Sequence, residues 1–192
     1  MTVRDAHAGT ETVLTGPHFV DATELGDLLP MTGTEYVTGF ESQAETGEPH
    51  APSEAQPHNM QSFTCCFAMD YLPGEDHTVE RPEDYGFWRS YVPALRPAWP
   101  GPLLDWTYSQ PVTLKPVFRS IDPEGGTRSD FWTYRRIIDR RSFLPGAYAG
   151  DICLVNWPQS DYWLGNLCEV AAAEAAEHLC RAKQLSLSLL YW

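Results

Sequence analysis

The chain has 192 residues, with 13 basic and 26 acidic side chains and a formal charge of −13; a surface this acidic argues against nucleic acid and anionic membranes as partners, since both require a positive patch. Apolar residues make up 43%, enough for a real core in one domain or one and a half. There is no run of about 18 apolar residues and no signal peptide, so the chain reads as soluble and cytoplasmic, with no membrane association.

In chain order, Val3-Arg-Asp and Thr12-Val-Leu-Thr flank a Gly9 turn and predict a short polar hairpin over 3–14. His18-Phe-Val-Asp-Ala-Thr23 reads as a buried strand that breaks into a small acidic loop, which Leu28-Leu29-Pro30 closes. Glu35–Phe40 suggests a further strand. Residues 43–60 hold Gly47, Pro49, Pro52 and Pro57 with no periodicity, and predict a loop and a domain boundary. Gln61–Met69 is a dense apolar strand. Residues 72–104 are Pro-rich and irregular, with a short helix near Glu83–Tyr91. Thr113–Phe118 and Asp130–Ile138 read as strands joined through the Asp122-Pro-Glu-Gly-Gly126 turn. Ile152–Asn156 is a strand that stops at Trp157-Pro158. From about Asn166 the apolar spacing turns helical through Leu167, Val170, Ala171, Ala175, Leu179, Ala182, Leu185 and Leu189, with Gly165 or Asn166 as the N-cap region. This helix runs to Trp192 with no stop signal. So apolar and abrupt an end is expected of a piece cut from a longer protein, of one half of a split one, or of a helix that docks its end into the core.

Several residue groups suggest chemistry. Small residues in Asp21-Ala22-Thr23 and Gly26-Asp27 allow close backbone approach, and exposed N–H groups at such a turn meet phosphate or ribose oxygens; the same pattern also occurs as a plain strand-to-turn junction. The Asn156-Trp157-Pro158-Gln159 loop carries amides suited to hydroxyls or amides of a neutral polar ligand. Tyr162 and Trp163 add aromatic faces there, and Trp88, Trp99, Trp106 and Trp132 either line the same pocket or fill the core. His58, beside Gln61, is either a proton carrier or an exposed loop histidine. Arg135, Arg136, Arg140 and Arg141 form the one basic cluster; it is suited to a carboxylate or phosphate, but more readily explained as pairing with the surplus of Asp and Glu. Cys65, Cys66, Cys153, Cys168 and Cys180 include no C-x-x-C pair and read as free thiols in a reducing compartment. His50, His58, Cys65 and Cys66 fit no ligand spacing, so no metal site is expected.

The order of these pieces resembles the middle of FAD-dependent oxidoreductases of the glutathione-reductase type. Phe19–Asp27 is similar to that family's motif of an apolar strand, Asp-Ala-Thr-Gly, then Gly-Asp. It continues through Leu28-Leu-Pro-Met-Thr-Gly33, Glu41–Pro49, the apolar strand Gln61–Phe67, Tyr134–Ile137, Asn156–Gln159 and Asp161-Tyr162. The resemblance covers nearly the whole chain, and its weight lies in the shared order. It departs at Glu24-Leu25, where the family often has Gly and an acidic residue. The Gly-x-Gly-x-x-Gly fingerprint and the closing part of the flavin site would lie before residue 1 and after Trp192.

The resemblance implies an α+β segment of an α/β flavoprotein. Residues 1–48 would be an incomplete FAD-domain segment, 49–164 a mainly antiparallel substrate-type sheet, and 165–192 a C-terminal helix. It implies a function in hydride transfer to flavin. Asp21, Ala22, Thr23, Gly26 and Asp27 would lie at the cofactor, and His58, Gln61, Tyr134, Asn156, Trp157, Gln159 and Tyr162 at a small-molecule substrate. Binding of FAD by this chain alone is expected to be weak or absent, and the isolated chain inactive. The alternative is a non-catalytic binding or assembly subunit that complements a separate flavin-binding chain or self-associates. A third reading is a free-standing ligand domain, for carbohydrate as an example, using Trp and Tyr platforms.

Overall fold

A computed structural model describes residues 1–96, 98–124 and 130–192. The chain divides into two compact units, Met1–Asn59 and Met60–Trp192. The elements are small helices and short antiparallel sheets, and the fold is α+β.

In Met1–Asn59, β1 (Thr2–Arg4) and β2 (Glu11–Val13) form the expected hairpin, with Thr2 opposite Val13 and Arg4 opposite Glu11. Its turn is closed by Asp5, whose carboxylate accepts from the N–H groups of His7 (2.8 Å) and Ala8 (2.9 Å). The strand expected at 18–23 does not form. Asp21 draws the Thr23 N–H onto its own side chain, a local bond that competes with a strand ladder, and no strand pairs with this segment. Next come α1 (Leu28–Thr32), closed by left-handed Gly33, and α2 (Gln43–Thr46), closed by left-handed Gly47. The helix α2 falls inside the expected loop because Ser42 and Glu45 form a capping box. Of the strand expected at Glu35–Phe40, only an antiparallel bridge from Phe40 to Gln56 forms.

In Met60–Trp192, the dense run after Gln61 splits into β3 (Phe63–Thr64) and β4 (Phe67–Asp70). The helix α3 spans Tyr85–Ser90. The strands β5 (Thr107–Ser109) and β6 (Pro116–Phe118) form a hairpin. The first half of the strand expected from Thr113 is its turn, where Leu114 is left-handed and donates its N–H to the Gln110 carbonyl. Asp130–Ile138 is not one strand. It is α4 (Phe131–Arg135) followed by β7 (Arg136–Ile138), because the Asp130 carboxylate caps the N–H groups of Trp132 and Thr133. Part of the expected Asp122–Gly126 turn lies outside the described residues.

The strand β8 (Ile152–Val155) is the centre of the sheet β4-β8-β7, antiparallel to both neighbours. A 3-10 turn at Pro158–Ser160 leads into β9 (Asp161–Tyr162), which pairs with β3. The long helix α5 spans Ala172–Tyr191 and starts later than its apolar spacing suggests. Asn166 caps a local turn by accepting the Cys168 N–H, and Glu169 is left-handed, which breaks any helix before Ala171. The face carrying Ala182, Leu185 and Leu189 joins Trp88, Leu103, Phe131, Val155 and Trp157 in the buried core. Among the described residues no helix is long and apolar enough to cross a membrane.

Candidate functional site

The Phe19–Asp27 loop is held by its own side chains. One Asp21 oxygen accepts from Thr23 N (2.9 Å) and Thr23 Oγ1 (2.8 Å), and the other accepts from Leu28 N (2.9 Å). Thr23 Oγ1 in turn accepts the Asp27 N–H at 2.7 Å. These donors, the Thr23 N–H foremost, hold the Asp21 carboxyl below its ordinary range. Gly26 has φ +68, the left-handed region a glycine enters without strain. Ala22, Thr23 and Asp27 are exposed. The loop therefore spends its carboxylate on shape; Glu24 and Leu25 sit in a turn, and their N–H groups have no hydrogen-bond partner among the described residues.

The second set of residues is mostly interior. Trp157 is buried against Trp106, Tyr108 and Phe131, and its Nε1 donates to the Asp105 carbonyl at 2.9 Å. Gln159 is buried; its Nε2 donates to the Thr107 carbonyl and its Oε1 has no partner. Together these two side chains fasten the start of β5 to the 158–160 turn. Tyr162 is 1% exposed and packs on Phe63 and Trp88. Its hydroxyl lies 2.9 Å from His178 Nδ1, and His178 Nε2 lies 3.8 Å from Glu174. Burial pushes the Tyr162 hydroxyl above its ordinary pKa. Gly165 is packed on the His178 ring, so a side chain there would collide with it.

The other expected residues sit at the surface. Asn156 is half-buried, with no hydrogen bond on its amide among the described residues; Gln61 is exposed. Tyr134 is 59% exposed, with the Arg119 and Arg135 guanidinia at 4.9 and 5.0 Å from its ring. His58 is exposed and belongs to Met1–Asn59, whereas all the rest lie in Met60–Trp192. The structure thus brings together Trp157, Gln159 and the aromatic Tyr162 cluster, and leaves Gln61 and Tyr134 outside it. Of the tryptophans, Trp88 is core; Trp132 is 2% exposed at the start of α4.

Two of the four clustered arginines are ion-paired among the described residues. Arg136 reaches Asp151 at 2.9 Å and Asp139 at 3.5 Å, and Arg141 grips Asp139 through Nε (3.0 Å) and Nη2 (2.9 Å). The Arg141 hydrogen bond is the main cause that lowers the Asp139 carboxyl to about 2. Two groups escaped the sequence reading. One is Asp130, which is 1% exposed yet also accepts the Asp122 N–H at 2.7 Å; an Asp directly before Phe-Trp-Thr is a helix-cap signal. The other is the His178 partner of Tyr162, sixteen residues away with no local signal. All five cysteines are free, and burial pushes the Cys153 thiol up to about 11, an unreactive state. No cluster of three or more His, Cys, Asp or Glu suited to a metal occurs among the described residues.

The model of the FAD dependent oxidoreductase family matches residues 1–192. The chain belongs to the FAD-dependent oxidoreductase family. No curated protein and no solved structure gives a match. Membership implies an oxidoreductase with a small-molecule substrate, and FAD as the cofactor of family members. A cofactor edge laid against the Asp21 loop would meet two kinds of group. The loop offers N–H groups at Glu24 and Leu25 with no partner among the described residues, but Asp21, Glu24 and Asp27 place three carboxylates within seven residues. Like charge opposes a pyrophosphate there, so the loop suits the hydroxyl-bearing parts of the cofactor.

Proposed function

We propose that this chain is the central part of an FAD-dependent oxidoreductase, in which the Asp21–Asp27 loop forms one wall of the flavin site and Met60–Trp192 is the substrate-side sheet. The observation that carries this is the self-fastened loop: Asp21 fixes its shape from within and leaves N–H donors at Glu24 and Leu25 without a partner among the described residues. A preformed turn binds without an ordering cost. Bound flavin would supply the hydride-accepting ring. This chain's own contribution is orientation, with Ala22, Thr23, Gly26 and Asp27 along the ribose or ribityl hydroxyls. On the substrate side the half-buried Asn156 amide has unused hydrogen bonds to offer. Trp157, Gln159 and Tyr162 support that loop from the core. One loop covers little of so large a cofactor, so unaided affinity is weak.

The test is titration of the purified chain with FAD, read by quenching of flavin fluorescence, for the wild type and Asp21→Ala. Weak saturable binding that Asp21→Ala reduces several-fold is expected. Equal signals from the two proteins would remove the loop from the cofactor site.

A second reading has its own observation. In Met1–Asn59, Phe19, Val20, Leu25, Met31, Val37 and Phe40 are all more than half exposed. An apolar surface of this kind suits a complementary flavin-binding polypeptide or self-association, with this chain as an assembly subunit. Co-purification of a yellow partner with a colourless chain would favour it.

A further inference from the structure

Met60–Trp192 contains a cleft of about 270 Å³ between the end of β4, the start of α4 and the turn after β7. Its walls are Tyr71, Trp132, Arg136, Arg140, Arg141 and Asp151, with Glu124 at the rim. The charges in it are unevenly satisfied. Both oxygens of Asp139 are taken, one by the Arg141 N–H and Nε, the other by Arg141 Nη2 and Arg136 Nη2. Both oxygens of Asp151 are taken as well, by Arg136 Nη1 and by the Arg140 N–H. The Arg140 guanidinium is left with a single bond among the described residues, from Nη1 to the Ala149 carbonyl at 3.0 Å. A carbonyl neutralises no charge, and the Nε and Nη2 donors of Arg140 remain open.

We infer that this cleft is a binding site for a small organic carboxylate, held by the open edge of the Arg140 guanidinium over the aromatic pair Tyr71–Trp132. The sign follows from the pairing. Asp151, the inner carboxylate that lines the cleft, is ion-paired with Arg136, and the neighbouring Asp139 with Arg136 and Arg141, so the Arg140 charge is the one left without a carboxylate partner at the cleft among the described residues. The planar donor edge of a guanidinium matches the two oxygens of a carboxylate, which a lysine's point charge cannot do. The aromatic pair, with ring centroids 6.2 Å apart edge to face, borders the cleft, and the exposed member, Tyr71, gives an apolar side for the ligand's body. The volume suits a molecule of benzoate size and is too small for a nucleotide. Glu124 is exposed at the rim and opposes any anion, though solvent screens it. Carboxylate binding here needs no flavin, so it stands or falls separately from the flavin reading.

The experiment is calorimetric titration of the full chain, without added flavin, using benzoate and, separately, inorganic phosphate. Benzoate is expected to bind, and to bind better than phosphate, which lacks a body for the aromatic wall. Arg140→Gln is expected to weaken benzoate at least tenfold. Arg140→Lys, which keeps the charge and guards against a folding artefact, is expected to fall between the two. Arg4→Gln removes the same charge from the β1 hairpin and leaves affinity unchanged, and Glu124→Gln tightens binding. No benzoate binding, stronger binding of phosphate, wild-type affinity in Arg140→Lys, or equal losses in Arg140→Gln and Arg4→Gln would each overturn the assignment.

Discussion

Met1–Asn59 and Met60–Trp192 are held by different forces. In the first unit the ordered pieces are tied by short-range polar contacts: the Asp5 turn, the Asp21 loop and the Ser42–Glu45 box each span eight residues or fewer. Of its residues only Ser42 is buried, and none of the core side chains comes from it. In the second unit residues far apart in the chain meet in an apolar core that includes Trp88, Phe131, Trp157 and Leu185. Local polar contacts can shape a loop, but each adds only about 1 kcal/mol net; a buried aromatic contributes several times that. The Asp21 loop is therefore shaped without being strongly stabilised, and the stability lies in the core of the second unit.

The sharpest way to break this contrast is to remove one aromatic from each unit. Trp88→Ala, in the core, is expected to lose about 3–5 kcal/mol, and Phe19→Ala, on the surface, to stay within about 0.5 kcal/mol. Urea midpoints followed by tryptophan emission decide it, since Trp88, Trp99, Trp106, Trp132, Trp157, Trp163 and Trp192 all lie in the second unit. Comparable losses would mean that Phe19 is packed in solution.

Asp130 comes next in size. Asp130→Ala orphans the buried Trp132 N–H and frees the Asp122 N–H. The expected loss is about 1–3 kcal/mol by the same urea assay. Asp130→Asn retains an acceptor and should fall between the mutant and the wild type.

A smaller effect comes from Asp161, where burial raises the carboxyl pKa and the Thr64 hydroxyl partly offsets it. A carboxyl raised in the fold contributes stability at pH below its unfolded value, and that contribution is lost as pH rises through the folded value. Asp161→Asn should therefore raise the midpoint at neutral pH and give no gain below the ordinary carboxylate range. A gain at both pH values would show that charge is not the cause.

The smallest global effect is expected from Asp21→Ala. The urea midpoint of the second unit should not move, while hydrogen exchange at Thr23 and Leu28 N–H accelerates, because both amides lose their acceptor. A shift of the midpoint instead would couple the loop to the core.

The two units also differ in how far they were legible from sequence. The hairpin, the helices near Tyr85 and after Asn166 and the Ile152 strand follow from periodicity and turn residues, and the α+β class from the family resemblance. The strand at 18–23 misled because an apolar, β-branched run looks the same whether or not a partner strand exists; pairing is non-local, and Asp21's side-chain bond is not a periodic signal. Asp130–Ile138 misled in the opposite direction, since its cap outweighed its β-forming residues. At the candidate sites, Trp157 and Gln159 drew notice as polar and aromatic ligand groups, but their donors meet the Asp105 and Thr107 carbonyls. The arginine cluster was visible as four cations; only the pairing geometry separates Arg136 and Arg141, which meet carboxylates, from Arg135 and Arg140, and only Arg140 of the latter two lines the cleft.

The Trp157 and Gln159 anchors also bear on the order of folding. Each reaches a carbonyl 52 residues earlier in the chain. Likewise β3 pairs with β9, and the Asp84 N–H is met by Gln184 a hundred residues on. The β5–β6 hairpin can form by itself, but it has nowhere to dock until the Pro158 turn has been made. Closing loops of this length before any contact rewards them slows folding. On the ribosome the aromatic segments from Phe63 to Trp132 emerge before the Trp157–Tyr162 stretch that they pack or pair with; in that interval a chaperone has its opening, and so does aggregation.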